Sequence, residues 1–437
     1  MAILNDSVDA SDGEAFAGDQ AARPASSALS GVAVSIAALG LTEFRCHRRL
    51  RLQPAAASVV LSGDNGSGKT SILEAISLLS PGRGLRRTRL ADICRRTADG
   101  PPAAGWSVSA QVRTPAGALD VATGWAGDGD RGNGERRQLK INGQPARGLA
   151  LLAGIFGVLW ITPDMDRVFA EGAGVRRRFF DRLVMALDPA HATRLNAYDR
   201  ALQERMALLR QAHPDGGWMT ALEDTMASVG VAIVAARRES AQRLSRVAQD
   251  HAGPFPAASL ASRGLVETWL EEGPALAAEE RLKAALAAAR HGDAEAGTTS
   301  IGPHRSDVDV RHPGSGRLAA ACSTGEQKML LIALVLASAD VQGSRRGSAP
   351  LLLLDEVAAH LDGRHRSALF ERVARTSAQA WYAGTDRAVF RPLEGSAQFI
   401  GLPVADSATV HLLPTAHRLN EKNRVNDKNK ERTTPDD

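Results

Sequence analysis

Gly63-Asp64-Asn65-Gly66-Ser67-Gly68-Lys69-Thr70 completes a G-x-x-x-x-G-K-[ST] phosphate loop. Its chemistry is carried by the backbone. Glycines let successive N–H groups turn toward one centre, a following helix N-terminus adds its positive end, and Lys69 reaches the outer phosphates of a nucleotide such as ATP. Thr70 stands where a hydroxyl would hold Mg²⁺. The apolar run Ala57 to Leu61 before the loop reads as a buried strand, and Ser71 to Ile76 after it as the start of a helix. The alternative, a Gly-rich turn with no ligand, does not require all eight positions in this setting.

A phosphate loop needs a second half. Leu351-Leu352-Leu353-Leu354-Asp355-Glu356 is a continuous apolar run closed by two carboxylates, the pattern of a parallel strand buried on both faces with acids at its carboxyl end. Asp355 is expected to bind Mg²⁺ through water and Glu356 to orient or deprotonate the attacking water. Asp-Glu in this position could also cap the next helix. Asp362 places a further carboxylate beyond the pair, as a candidate nucleotide contact.

Cys322-Ser323-Thr324-Gly325-Glu326-Gln327-Lys328 precedes the helical run 329–337. Ser323-x-x-Glu326 and Thr324-x-x-Gln327 both fit a capping box, so helix initiation alone explains these residue types. Their place, about one helix and one strand ahead of Asp355-Glu356, resembles the signature of the ABC-type ATPases. That resemblance implies that Ser323, Gly325, Glu326 and Gln327 present an exposed helix N-terminus to the γ-phosphate held by a second subunit.

Further motifs narrow the likeness. Leu41-Thr42-Glu43-Phe44-Arg45, Ile161-Thr162-Pro163-Asp164, Arg176 to Arg182, Gly302-Pro303-His304-Arg305-Ser306-Asp307 and the signature stand in one order from about residue 34 to about 415. Together they resemble the RecF family, relatives of the SMC-type heads. The resemblance implies an α/β ABC-type P-loop ATPase head with a helical insertion domain and no long coiled coil. It also implies slow ATP hydrolysis used as a switch, an ATP-dependent homodimer, and binding to gapped, double-stranded and single-stranded DNA. The implied setting is cytoplasmic DNA repair, recombination, replication and the SOS response, with RecO and RecR as partners and RecA reached through them. Two departures from the general ABC pattern point to slow turnover. Leu159 and Trp160 stand where a Mg²⁺-linked Gln would be sought, and Gly384-Thr385-Asp386 where many relatives carry a His. A transporter-type ATPase and an SMC-like structural clamp are the alternatives; the first needs a membrane subunit, the second a long coil.

The elements that position these groups follow from periodicity. Residues 1–30 read as a disordered leader and 417–437 as a disordered charged tail. The head occupies 31–165 and 300–416, with strands at 32–39, 57–62, 106–113, 118–125 and 138–141 in its first part. Residues 166–299 read as an Ala-rich helical arm broken at His213-Pro214-Asp215-Gly216-Gly217. The chain has 437 residues, is 44% apolar and carries 53 basic against 49 acidic side chains, for a net charge of +4. So small an excess means that DNA binding requires a local basic surface. The candidates are Arg83, Arg86, Arg87 and Arg89 after the first helix and Arg176 to Arg178. Each could equally lie on a solvated face, with Arg178 and Arg182 pairing to acids one helix turn away. His304 and Arg305 suit either nucleotide or DNA sensing or the capping of buried carbonyls, and Arg45 either the nucleotide or a strand edge. No stretch is expected to reach a membrane-spanning length, and the acidic N-terminus does not suit a signal peptide. Cys46, Cys94 and Cys322 are too few and too far apart for a disulfide framework or a zinc site, and reduced, partly buried thiols are expected.

Overall fold

A computed structural model describes residues 34–97, 100–127, 137–146, 148, 150–211, 213, 215–250, 253–376, 379–403 and 409–410. The expected leader and tail lie outside the described residues. The described chain opens on an antiparallel pair, β1 (Ser35–Phe44) and β2 (His47–Leu52), after which β3 (Ser58–Ser62) enters the phosphate loop and α1 (Lys69–Ser77) leaves it. Strands β4 (Gly105–Thr114), β5 (Gly117–Ala126), β6 (Gln138–Ile141) and β7 (Gln144–Pro145) continue the antiparallel sheet outward from β1. Helix α2 (Ala150–Ile155) then returns the chain to β8 (Val158–Ile161).

The helical insertion follows: α3 (Ala173–Leu187), α4 (Ala190–Leu209) and α5 (Gly216–Asp250), then β9 (Ser259–Arg263), α6 (Leu265–Glu272), α7 (Ala275–Ala288) and α8 (Arg290–Ala296). Strand β10 (Asp307–Arg311) pairs antiparallel with β9, so the expectation of a purely helical stretch from 166 to 299 is corrected by one strand. The remaining elements are α9 (Thr324–Arg346), β11 (Leu351–Asp355), α10 (Gly363–Arg375), β12 (Ala380–Gly384), β13 (Ala397–Gly401) and the short β14 (Thr409–Val410), which lies beside β2.

The central sheet has the order β13-β3-β12-β11-β8, with every pairing parallel. Its two faces enter two different cores. Leu352, Leu354, Tyr382 and Val60 pack with α3 and α9, whereas Leu351, Leu353, Trp381, Val59 and Leu61 pack with α1 and the antiparallel sheet around Trp106. This period-two division explains the unbroken apolar run of β11, because a parallel strand covered on both faces has no solvent side. Each of its four leucines is at most 1% exposed, a burial that contributes about 1.5–3 kcal/mol per side chain.

The insertion has its own core, in which Tyr198, Met226, Val234, Trp269 and Leu282 meet between α4, α5, α6 and α7. It is tied to the head through Asp181 on α3, whose carboxylate accepts two hydrogen bonds from Arg237 at 2.8 Å and one contact from His191 at 2.9 Å. Burial alone would raise the Asp181 pKa, but His191 and Arg237 hold it below the usual carboxylate range. The Arg-Phe-Phe-Asp-Arg run therefore fastens α3 to α5. The expectation that no stretch could span a bilayer is also corrected. Within α5 an 18-residue window reaches a mean hydropathy of 1.3, but half of it is buried inside the protein, as in a core helix.

Candidate functional site

The phosphate loop sits at the carboxyl ends of the parallel strands, where open α/β sheets bind ligands. Two glycines there have no substitute. Gly68 has φ +97°, and a Cβ would come within 2.6 Å of His47 Nε2; Gly63 has φ +150°, and a Cβ would lie 2.3 Å from the Leu402 carbonyl oxygen. Lys69 is buried, and its ammonium donates to the Gly63 and Asp64 carbonyls at 2.7 and 2.9 Å. Those carbonyl oxygens occupy the donor directions that phosphate oxygens would take.

Helix α1 is pinned from below. Glu74, almost wholly buried, accepts from Arg45 Nε at 2.8 Å and Nη2 at 2.6 Å and from Arg86 Nη1 at 3.3 Å. Arg45 also donates to Thr88 Oγ1 and the Asp92 carbonyl. Of the two expectations for Arg45, neither nucleotide contact nor strand-edge cover is its work here; it fixes the helix that carries the loop.

The second half converges as expected. The Thr70 hydroxyl donates to Asp355, with its oxygen 3.0 and 3.2 Å from the two carboxylate oxygens, across 285 residues of sequence. Burial pushes the Asp355 pKa up to about 6, opposed by the Thr70 hydrogen bond and reinforced by neighbouring Glu356. A buried carboxylate carrying this cost, beside a hydroxyl and below a phosphate cradle, is an all-oxygen donor set suited to a hard divalent cation such as Mg²⁺. Glu356 takes the left-handed region at φ +51°, its N–H donates to the Ala383 carbonyl at 2.9 Å, and its carboxylate lies over Gly384 at the end of β12. The two acids thus diverge, one toward Thr70 and one toward the end of β12.

The signature segment begins α9. The Ser323 hydroxyl accepts from the Glu326 N–H at 3.3 Å, and Glu326 Oε2 accepts from the Ser323 N–H at 2.7 Å, a reciprocal capping box. These bonds to Ser323 hold the Glu326 carboxyl below its usual range. The second expected box is absent: Gln327 is buried and donates instead to the Cys322 carbonyl at 3.0 Å, leaving Thr324 to begin the first turn. Ser323, Thr324 and Gly325 are exposed, and a Cβ on Gly325 would meet nothing within 4 Å. Lys328 turns inward to Asp166 at 3.2 Å. Asp362 caps α10 by accepting from the His365 N–H at 2.9 Å and lines a cavity of about 530 Å³ with Gly325, Glu326 and Phe255. It stands beside the signature, whereas Thr70 and Asp355 form the other cluster.

Several candidate residues have structural work. His304 Nε2 and Arg305 Nε both lie 2.9 Å from the Thr299 carbonyl, and His304 Nδ1 is 2.9 Å from the Tyr198 hydroxyl, so this loop satisfies a buried carbonyl. Arg176 pairs with Asp307, and Arg177 donates to the Ser306 carbonyl. The acid partner expected for Arg182 is not what it meets: its guanidinium lies 4.5 Å over the Trp160 ring. Asp386, in the segment where many relatives carry a His, caps a 3-10 turn through the Ala388 N–H at 2.8 Å. Cys94 and Cys322 are buried, but Cys46 is exposed, correcting that expectation.

Known proteins resemble this chain in sequence and in fold. The RecF/RecN/SMC N-terminal domain model matches residues 35–391. The DNA replication and repair protein RecF of Mesorhizobium japonicum is 45% identical over 368 residues, covering 84% of this chain and 95% of that protein. The protein of the same description from Rhizobium meliloti is 44% identical over 371 residues, covering 84% and 97%. A solved structure of the recombination mediator protein RecF-ATPrS in the RecFOR pathway superposes with a TM-score of 0.72 at 21% identity, over 82% of this chain and 94% of that one. The chain belongs to the RecF family and has the fold of an ABC-type P-loop ATPase head with a helical insertion.

Proposed function

We propose that this chain is an ATP-dependent DNA-binding protein of recombinational gap repair, closing as a two-fold homodimer on ATP and reopening after slow hydrolysis. The observation that supports it most is the Thr70–Asp355 contact below the phosphate loop, set apart from an exposed signature helix start at Ser323 to Gly325. A helix N-terminus that projects into solvent is half of an anion site. In a two-fold dimer each copy would present it to the nucleotide on its partner, so a single head is incomplete.

In this reading Gly63 to Thr70 cradle the phosphates, with Asp64, Asn65, Gly66 and Ser67 supplying the turn, and Lys69 exchanges its two carbonyl acceptors for phosphate oxygens. Thr70 and Asp355 hold Mg²⁺, whose charge would offset that of the phosphates and relieve the cost of burying Asp355. Glu356, already diverging from Asp355, orients water or takes its proton. Ser323, Gly325, Glu326 and Gln327 form or brace the contact to the partner's nucleotide, and Asp362 borders it. The head spans 31–165 and 300–416 with the arm at 166–299, and the protein acts in the cytoplasm.

The names of the relatives and of the solved structure support gapped, double- and single-stranded DNA as the substrate surface, with RecO and RecR as partners and RecA loading as the outcome. A long clamp-type coil is not favoured, since α5, the longest described helix at 35 residues, packs along α4 and α7. The test is ATP turnover with and without gapped DNA, beside light scattering with and without ATP. Slow, DNA-stimulated turnover with ATP-dependent dimers is expected; ATP-independent mass together with turnover indifferent to DNA would sink the reading.

A further inference from the structure

Arginines in this protein are generally answered. Arg45 and Arg86 meet Glu74, Arg205 meets Glu223 and Asp293, and Arg237 meets Asp181. Arg87, Arg178 and Arg182 differ. Among the described residues none of the three pairs with a carboxylate, although they come together from segments about ninety positions apart: Arg87 from the loop after α1, Arg178 and Arg182 from successive turns of α3.

The geometry around them is specific. Arg182 lies with its guanidinium carbon 4.5 Å from the Trp160 ring centre and 5.6 Å from that of Phe179, and its Nη2 reaches only the Trp160 carbonyl and the Met165 sulfur at 3.4 Å. Its Nε–H is buried with no acceptor. Arg178 folds back along the first turn of α3 over Gly174, while Arg176 and Arg177 on the same turn are drawn to Asp307 and Ser306. Arg87 is exposed and holds φ +54°, a region that a long side chain seldom adopts without reason. The nearby acids are engaged elsewhere: Glu74 by Arg45 and Arg86, Asp166 by Lys328, Asp181 by Arg237. Burial pushes the Arg182 pKa down to about 9 with Arg87 adding to the effect, and burial with the Arg178 charge lowers that of Arg87. All three remain cations at neutral pH, so bringing them together costs energy that an anion would return.

We propose that Arg87, Arg178 and Arg182 form a phosphate site at the junction of the phosphate-loop half of the head and the base of the helical insertion. Guanidinia with free N–H edges match phosphate oxygens in shape and charge. Two sources carry that chemistry: the backbone of a DNA duplex, or the terminal phosphate of ATP bound to the same copy. The site deepens the proposed function and rests on it for the ligand, not for the geometry.

The test uses the full chain with Arg87→Gln, Arg178→Gln and the double variant. Neither side chain is held by an acid, and Arg87→Lys with Arg178→Lys serves as the charge-retaining control. The probes are a labelled duplex of about 30 base pairs, roughly three helical turns, titrated at several salt concentrations with and without ATP, and ATP and ADP titrated without DNA. If DNA is the source, the double variant lowers duplex affinity at every salt concentration and reduces the log–log salt slope by about 1.8, at about 0.9 for each phosphate no longer neutralised. ATP affinity then stays unchanged and the lysine control recovers most of the slope. If the nucleotide is the source, ATP affinity falls tenfold or more without DNA while ADP affinity holds. A folded double variant with parental duplex slope and parental ATP affinity overturns the site. Loss of ATP response in the parent chain would instead sink the proposed function, and the low-salt duplex titration without ATP would still report on the cluster.

Discussion

Replacing Arg45 by alanine tests whether a buried ion pair beneath α1 holds the phosphate loop in shape. Glu74 is 1% exposed at its side chain and Arg45 18%, and their two hydrogen bonds of 2.6 and 2.8 Å form a fork. Removing one partner of a buried pair strands the other charge and costs about 3–5 kcal/mol. Arg86 at 3.3 Å and the Thr88 hydroxyl at 3.4 Å remain as weaker partners of Glu74, which places the expected cost near the low end, about 3 kcal/mol. With three separate cores in the chain, a single global unfolding free energy is a poor readout, and amide hydrogen exchange within α1 reports the local cost directly. Exchange of the amides of Ile72 to Ser77 should accelerate roughly a hundredfold, at about 1.4 kcal/mol per factor of ten, and ATP affinity should weaken with it. The double replacement Arg45→Met with Glu74→Leu removes both charges and should return most of the protection. Less than a threefold acceleration in Arg45→Ala, or a double variant as unprotected as the single, would refute this account of how the helix is held.

Lys69→Ala is expected to abolish ATP-dependent dimerisation in light scattering, and parental dimerisation would separate the loop from closure. Glu356→Gln is expected to keep ATP bound while slowing turnover on the order of a hundredfold or more, with the closed dimer accumulating; an unchanged rate would move the water-activating role elsewhere. Asp355→Asn addresses pH. The folded carboxyl titrates near 6 and the unfolded one near 3.8, so the folded state retains a proton that the unfolded state has released, and stability falls as pH rises through that window. The cost is complete above pH 6 and amounts to about 3 kcal/mol at most. The nucleotide-free variant should therefore be more stable than the parent at pH 8, with the advantage vanishing below pH 4, while losing Mg·ATP stabilisation. A variant no more stable at pH 8 in thermal melts would contradict the burial argument.

The head was legible because its chemistry is local. The phosphate loop, the apolar run into Asp355 and the Ser323–Glu326 box each lie within one short window, and turn and helix geometry follow from such windows directly. The contact between Thr70 and Asp355 was legible only by analogy, since 285 residues separate them. What escaped detection depends on partners distant in sequence. Arg45 finds Glu74 29 residues on, and Asp181 finds Arg237 56 residues on, so neither pairing could be read from spacing. Strand β2 escaped because His47-Arg48-Arg49-Leu50-Arg51-Leu52 is mostly basic; its inward residues are His47, Leu50 and Leu52, and its arginines face out. Strand β9 is five residues long and gains its order from β10, which lies beyond three helices. The Thr324–Gln327 box failed because a helix start needs one N-cap, and Ser323 already fills it.

The central claim is that the signature acts across a dimer interface rather than as a cap, and mixing two defective chains tests it most directly. Ser323→Arg puts a bulky cation at the exposed start of α9 and costs the monomer only about 1 kcal/mol of capping, so it should still bind ATP but neither dimerise nor turn over. Lys69→Ala loses its grip on the phosphates and keeps its signature. In a mixed dimer one composite site carries both lesions and the other carries neither. Mixing the two inactive proteins should therefore restore ATP-dependent dimers and part of the parental ATPase rate, whereas a mixture as inactive as its components, or a Ser323→Arg protein that turns over ATP normally by itself, would contradict the account.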